Sequence, residues 1–168
     1  LVKIAQLLHA RDALSARNEI DQLRSHYQAF MEELYETSEA LQETESVVDG
    51  HFNLLYNYCD KNEFTNLEER IILSQGELLS TKMFASYLQE QGVECRLLPA
   101  LNFMRIDEHN EPDLPYIRAN LQNEINKTGT AEIAVTQGYI CLNANNEVDN
   151  LRRGGSDYTA SLIGAALE

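Results

Sequence analysis

Arg152-Arg153-Gly154-Gly155-Ser156-Asp157-Tyr158-Thr159-Ala160 is the stretch on which the reading of this chain turns. Its two glycines let the backbone approach a ligand with no Cβ in the way. Ser156 stands where a helix N-cap would stand, and the run from Tyr158 to Leu167 is small and apolar enough for a buried helix. A glycine turn feeding a helix N-terminus makes an anion site, because free N–H groups and the positive end of the helix dipole point the same way. Arg153 adds a fixed cation whose planar fork suits a carboxylate or a phosphate. On residue types alone, the stretch is equally a structural turn placed before a helix.

Upstream, Glu132-Ile133-Ala134-Val135-Thr136 is a continuous apolar run bounded by turns, the pattern of a buried parallel strand. Gln137-Gly138-Tyr139-Ile140 follows at that strand's C-terminal end, where α/β sheets hold ligands. A polar hairpin over 143–150, tipped by Asn145-Asn146, joins this turn to the Arg152 stretch. Further back, Gln91-Gly92 stops a helix and Val93-Glu94-Cys95-Arg96-Leu97-Leu98-Pro99 reads as a short strand, which is the helix–glycine–strand order of an α/β unit. Residues 100–115 read as an irregular loop carrying Phe103-Met104-Arg105, Asp107, His109 and Glu111-Pro112-Asp113. A helix follows from Leu114 through Ile117, Leu121 and Ile125.

The first seventy or so residues read as helical throughout. Apolar positions recur at helical spacing over Ile4, Leu7 and Leu8, over Ile20, Leu23, Tyr27, Phe30, Met31, Leu34 and Tyr35, and over Val47, Val48, Phe52, Leu54, Leu55 and Tyr58. Glu32, Glu33, Glu36, Glu39, Glu43 and Glu45 fill intervening positions as a solvated face. Thr65 or Asn66, with acids behind it, starts another helix. Within it Ser74-Gln75-Gly76-Glu77 interrupts the apolar face, which marks either a functional site or a glycine where two helices cross. Residues 1–66 thus form a helical region and 67–168 an α/β region. Leu1 already lies in a helical pattern and Glu168 falls inside one, so the expectation is a piece of a longer chain.

The formal charge of −14 over 168 residues argues against a nucleic-acid backbone or an anionic membrane surface as partner. Cys59, Cys95 and Cys141 are far apart with no CxxC pair, a cytoplasmic pattern of free thiols. The histidines form no HxxH or HxxxH pair, and no metal site is expected. What remains is a carboxylate at Gly76-Glu77, a backbone N–H at Gly138-Tyr139, and a cation with amides at Arg153-Gly154-Gly155-Ser156. Such a set suits a zwitterion, the acid taking an ammonium and the others a carboxylate.

These blocks resemble the aspartate kinases (aspartokinases) of the amino-acid kinase superfamily. Arg153-Gly154-Gly155-Ser156-Asp157-Tyr158-Thr159-Ala160 is similar to their signature. Ser74-Gln75-Gly76-Glu77-Leu78-Leu79-Ser80-Thr81 resembles their Gly-Glu block, and Phe103-Met104-Arg105 with Glu111-Pro112-Asp113 their substrate-side loop. Val135-Thr136-Gln137-Gly138-Tyr139-Ile140 is similar to their second strand–glycine turn. The resemblance implies a three-layer αβα amino-acid-kinase fold, truncated at both ends, with a helix-rich N-terminal third. It implies ATP-dependent phosphorylation of the side-chain carboxylate of L-aspartate to 4-phospho-L-aspartate, the first step of lysine, threonine and methionine biosynthesis, in a cytoplasmic homo-oligomer using ATP with Mg2+. It further implies that Glu77 holds the substrate ammonium, that Arg153, Gly154, Gly155, Ser156 and the Tyr139 N–H hold a carboxylate, and that Asp157, the catalytic candidate, orients the lysines that stabilise the transferring phosphoryl group.

The chain departs from the family in carrying Arg152 where many members have glycine. It also lacks the family's Lys-Phe-Gly-Gly-Thr-Ser block and its Thr-Asp nucleotide segment, so the 168 residues alone are expected to bind no ATP and to show no kinase activity. Alternatives are a glutamate- or carbamate-type amino-acid kinase and a non-catalytic helical interaction module.

Overall fold

The computed structural model describes residues 1–128, 131, 133–152 and 154–168. Arg153, Glu132 and the side chain of Thr128 lie outside them. The chain divides into two compact units, Leu1–Val93 and Glu94–Glu168.

The first unit is four helices: α1 (Val2–His9), α2 (Ala13–Leu34), α3 (Ser38–Cys59) and α4 (Asn66–Glu90). α2, α3 and α4 each begin at a short polar side chain. Asp12 accepts the Ser15 N–H at 3.0 Å, and Thr37 accepts the Ala40 N–H at 3.3 Å. Thr65 and Glu68 form a capping box, with the Thr65 N–H donating to Glu68 Oε2 at 2.9 Å. Glu90, the last residue of α4, accepts the N–H groups of Glu36 and Thr37 at 3.0 and 2.7 Å, tying its end to the start of α3. Apolar stripes from all four helices make one core, including Ile4, Ile20, Met31, Phe52, Leu55, Ile72 and Leu79.

One expectation needs correction. Phe30, placed on the buried face by spacing, is 43% exposed. As the helical pattern led one to expect, α4 runs unbroken for 25 residues through the polar interruption of its apolar face. Its buried polar residues satisfy themselves. Ser74 Oγ and Gln75 Nε2 both donate to the Ile71 carbonyl, at 2.7 and 2.8 Å, and His51 Nδ1 lies 2.6 Å from Gln75 Oε1. A Cβ built at Gly76 would stand 3.2 Å from Leu1 Cδ1, so the glycine permits a close approach beside α1.

The second unit starts with β1 (Cys95–Leu98), a 3-10 turn at Ala100–Asn102 and α5 (Leu114–Thr128). Strand β2 (Ile133–Thr136) returns parallel to β1, with Cys95 opposite Ile133 and Leu98 opposite Thr136. β3 (Ile140–Leu142) and β4 (Val148–Asn150) form the antiparallel hairpin expected from the sequence. Asn143 Oδ1 accepts the N–H groups of Asn145 and Glu147 at 2.9 and 3.0 Å inside its turn. α6 (Gly155–Leu167) closes the chain.

The parallel pairing is as anticipated, but β2 is not buried: Ile133 is 42% exposed, and only the strand's second half is partly covered. Among the described strands β1 alone pairs with it. The supposed loop at 100–115 carries much of the core, since Ala100, Phe103 and Met104 are fully buried. The Ile106 N–H donates to the Leu142 carbonyl and the Leu142 N–H to the Met104 carbonyl, both at 2.9 Å, so this segment pairs with β3. α6 buries only the stripe Gly155, Thr159, Leu162 and Ala166, leaving Tyr158 and Leu167 in solvent.

Candidate functional site

The described part of the site is built where the chain leaves β2 and where it enters α6. Gln137, 1% exposed, accepts the Ala100 N–H at 2.7 Å and anchors the end of β2 against the 3-10 turn. Gly138 follows without room for a side chain: a Cβ there would lie 2.7 Å from Ser156 Oγ and 2.9 Å from Ser156 Cα. Tyr139 then takes a left-handed backbone, φ 68°, at a cost of about 1–2 kcal/mol for a residue with a Cβ. Both of its backbone groups are held. Its carbonyl accepts the Leu151 N–H at 2.7 Å, and its N–H donates to Thr159 Oγ1 at 3.1 Å.

The entry to α6 repeats the device. Arg152 (φ 63°) and Gly154 (φ 75°) are both left-handed. The Arg152 N–H donates to Asn150 Oδ1 at 3.0 Å, and its carbonyl accepts the Gly155 N–H at 3.1 Å. Gly154, not Ser156, is the N-cap. The left-handed turn places the helix start before Ser156, which lies in the first turn, exposed. Its hydroxyl makes no hydrogen bond among the described residues, so it is free to meet a ligand. Asp157 also sits in the first turn, where a carboxylate favours the helix dipole. A Cβ at Gly155 would lie 2.9 Å from Tyr139 Cδ2, whereas one at Gly154 would meet nothing within 4 Å.

The amides of Tyr139 and Gly155, anticipated as ligand donors, therefore have protein acceptors, Thr159 Oγ1 and the Arg152 carbonyl. A ligand would take either only by sharing or displacing that acceptor. Arg153 lies outside the described residues. Glu77, in the first unit, is half-buried on α4, and its carboxylate has no partner among the described residues. Thr159, Leu151 and Gln137 escaped the sequence reading. Thr159 left one signal: a polar β-branched residue four positions after Gly155, in line with the apolar Leu162 and Ala166 of the same helix face.

Arg105, the cation of the substrate-side loop, is neutralised within it. Arg105 donates to Asp113 Oδ2 through Nε and a terminal nitrogen, at 3.2 and 2.5 Å, and stacks 3.7 Å above the Tyr116 ring. That bond above all holds the Asp113 carboxyl below its usual range, and Asp113 Oδ1 also accepts the Tyr116 N–H at the start of α5. Asp107, Glu108 and Asp113 line the shallow recess beside Arg105, a poor place for another carboxylate. Among the described residues no three His, Cys, Asp or Glu side chains converge as a metal site would require. Among them, no helix is long and apolar enough to cross a membrane.

The sequence profile of the amino acid kinase family matches residues 7–168. The chain belongs to that family. Among curated proteins it is 32% identical over 130 residues to an aspartokinase of Rickettsia bellii, covering 73% of this chain and 32% of that protein. It is 31% identical over 99 residues to lysine-sensitive aspartokinase 3 of Escherichia coli K12, covering 57% of this chain and 22% of that protein. Among solved structures it matches E. coli aspartokinase III in complex with aspartate and ADP, in the R-state, with a TM-score of 0.75 and 26% identity, over 98% of this chain and 38% of that one. The same enzyme with lysine and aspartate, in the T-state, gives a TM-score of 0.74. The chain thus spans about a third of the length of such relatives. The match establishes the amino-acid-kinase fold for this mixed, helix-rich chain.

Proposed function

We propose that the protein is an aspartate kinase, transferring the γ-phosphoryl group of ATP to the side-chain carboxylate of L-aspartate and releasing ADP and 4-phospho-L-aspartate. The observation that carries this is the paired glycine turn, Gly138-Tyr139 locked against Gly154-Gly155-Ser156 at a helix N-terminus. It occurs in a chain similar to an E. coli enzyme solved with aspartate and ADP.

In this reading Arg153 clamps a substrate carboxylate, Ser156 and the first turn of α6 add neutral donors, and Gly154 leaves room for the approach. Tyr139 and Gly155 shape the turn, and the Glu77 carboxylate takes the ammonium. Asp157 orients the cations that meet the transferring phosphoryl group. One carboxylate oxygen of the acceptor attacks phosphorus as the bond to the β-phosphate oxygen breaks. Such a transfer asks the protein mainly to position and to neutralise charge. ATP as donor with Mg2+, a cytoplasmic setting, a homo-oligomeric state and a place at the start of lysine, threonine and methionine synthesis belong to the same proposal. The described residues give Mg2+ no site of their own.

The runner-up is a kinase of the same family acting on glutamate or carbamate. A coupled ADP-release assay on the full-length protein separates them. The proposal expects aspartate to be phosphorylated at least about a hundredfold more efficiently than glutamate, a preference of roughly 2.7 kcal/mol. It expects Arg153→Ala to raise the KM for aspartate while leaving that for ATP in place. Preference for glutamate, or an Arg153→Ala protein with unaltered kinetics, would sink the reading.

A further inference from the structure

Thr159 has no place among the roles just given, yet it joins the two halves of the turn. Its side chain lies on the buried stripe of α6, with the residue 2% exposed. A hydroxyl carries one proton and two lone pairs, and this one uses both capacities. Oγ1 donates to the Gly155 carbonyl at 2.8 Å and accepts the Tyr139 N–H at 3.1 Å. The first bond is the ordinary back-bond of a helical threonine. The second is not local, since Tyr139 lies twenty residues upstream. One atom therefore fixes the distance between the turn after β2 and the first turn of α6, at the level where Gly138 meets Ser156 and Tyr139 meets Gly155.

We propose that Thr159 is a positioning residue for the acceptor's carboxylate clamp, setting affinity for the amino-acid substrate and not the rate of phosphoryl transfer. The inference rests on the aspartate-binding reading of the preceding subsection. The turn it ties together, through Tyr139 and Gly155, presents Ser156 and the first turn of α6 to a carboxylate that is the same in the bound substrate and in the transition state. Loss of such an interaction raises KM and leaves kcat in place. A threonine needed only for stability would lower the melting temperature and leave KM unmoved.

The test compares Thr159→Val, which keeps the shape and removes the hydroxyl, with Thr159→Ser, which keeps the hydroxyl, in the full-length protein. Thr159→Val is expected to raise the KM for aspartate by about tenfold or more, with kcat and the KM for ATP within about twofold. Thr159→Ser is expected to restore the KM for aspartate to within about threefold of wild type. Should Thr159→Val fail to fold, Thr159→Ala carries the same expectation, since it removes the hydroxyl and adds no bulk. An unchanged KM for aspartate in a folded hydroxyl-free variant, whatever its melting temperature, overturns the proposal. Amide hydrogen exchange separates this failure from failure of the underlying reading. If wild type phosphorylates no aspartate, the function proposal falls, while faster exchange of the Tyr139 N–H in Thr159→Val still supports the tie and unchanged exchange refutes it.

Discussion

Gly138→Ala is the sharpest test of how tightly the two turns are packed. The backbone at Gly138 is not left-handed, so alanine adds steric bulk and no conformational strain. The added Cβ would lie 2.7 Å from Ser156 Oγ, 2.8 Å from its Cβ and 2.9 Å from its Cα, where ordinary contacts begin at 3.4 Å. The hydroxyl can rotate away, but the Cα belongs to the first turn of α6. That turn must retreat by about half an ångström. Overpacking of this kind costs about 1–3 kcal/mol, which lowers the melting temperature of a unit this size by roughly 4–8 °C per kcal/mol. Since a misplacement of about 1 Å costs a site on the order of a hundredfold, half that shift predicts a KM for aspartate raised about tenfold. Thermal denaturation and aspartate saturation at fixed ATP measure both. Gly138→Ala combined with Ser156→Gly removes two of the three clashes, so stability should return in part. Gly164→Ala is the control. Its Cβ meets nothing within 4 Å in the interior of α6, so it should stabilise by about 0.5–1 kcal/mol without moving KM. Gly138→Ala with wild-type melting and wild-type KM would refute the packing argument.

Two further outcomes concern titration. Glu68 is held at about 2, chiefly by the Thr65 hydroxyl it bonds in the capping box. A carboxyl depressed in the folded state stabilises fully above its unfolded value near 4.5 and loses that contribution as pH falls toward 2. Urea melts should therefore show a Glu68→Gln difference that is constant at neutral pH and shrinks through that window. A difference that grows toward low pH would contradict the assignment. Burial pushes the Cys141 thiol up to about 12, with Asp149 adding to the shift. It should resist iodoacetamide at pH 8 in the folded protein and react on unfolding, and native-state labelling at Cys141 would count against this.

The helices were legible because their signals are local. Thr65 and Glu68 announce a capping box three residues apart, and Gly92, with φ 75°, marks the stop after α4. The hairpin was equally readable from Asn143 to Asn150, since its turn is closed by one side chain. The buried segment from Phe103 to Ile106 was not. It has no period of two or of 3.6, and its burial comes from pairing with β3, more than thirty residues away. Ser74 and Gln75 misled for the opposite reason. Two polar residues on an apolar face look like a functional site, but their bonds to Ile71 and His51 satisfy them within a continuous helix.

The glycines of the opening stretch illustrate how far residue chemistry reaches. Read alone, Gly154 and Gly155 both offer open backbone to a ligand. In the folded chain Gly138 and Gly155 are each occupied by the opposite turn. Ser156 fills the place beside Gly138, and the Tyr139 ring fills the place beside Gly155. The exchange explains why position 139 carries a ring despite a left-handed backbone that glycine would adopt freely. The ring is the wall against which α6 starts, and its strain is held by Leu151 on one side and Thr159 on the other. Gly154 alone stays open. Under the proposed function, close approach by a substrate carboxylate falls to Gly154 and the exposed Ser156 beside it, while Gly138 and Gly155 keep that opening in place.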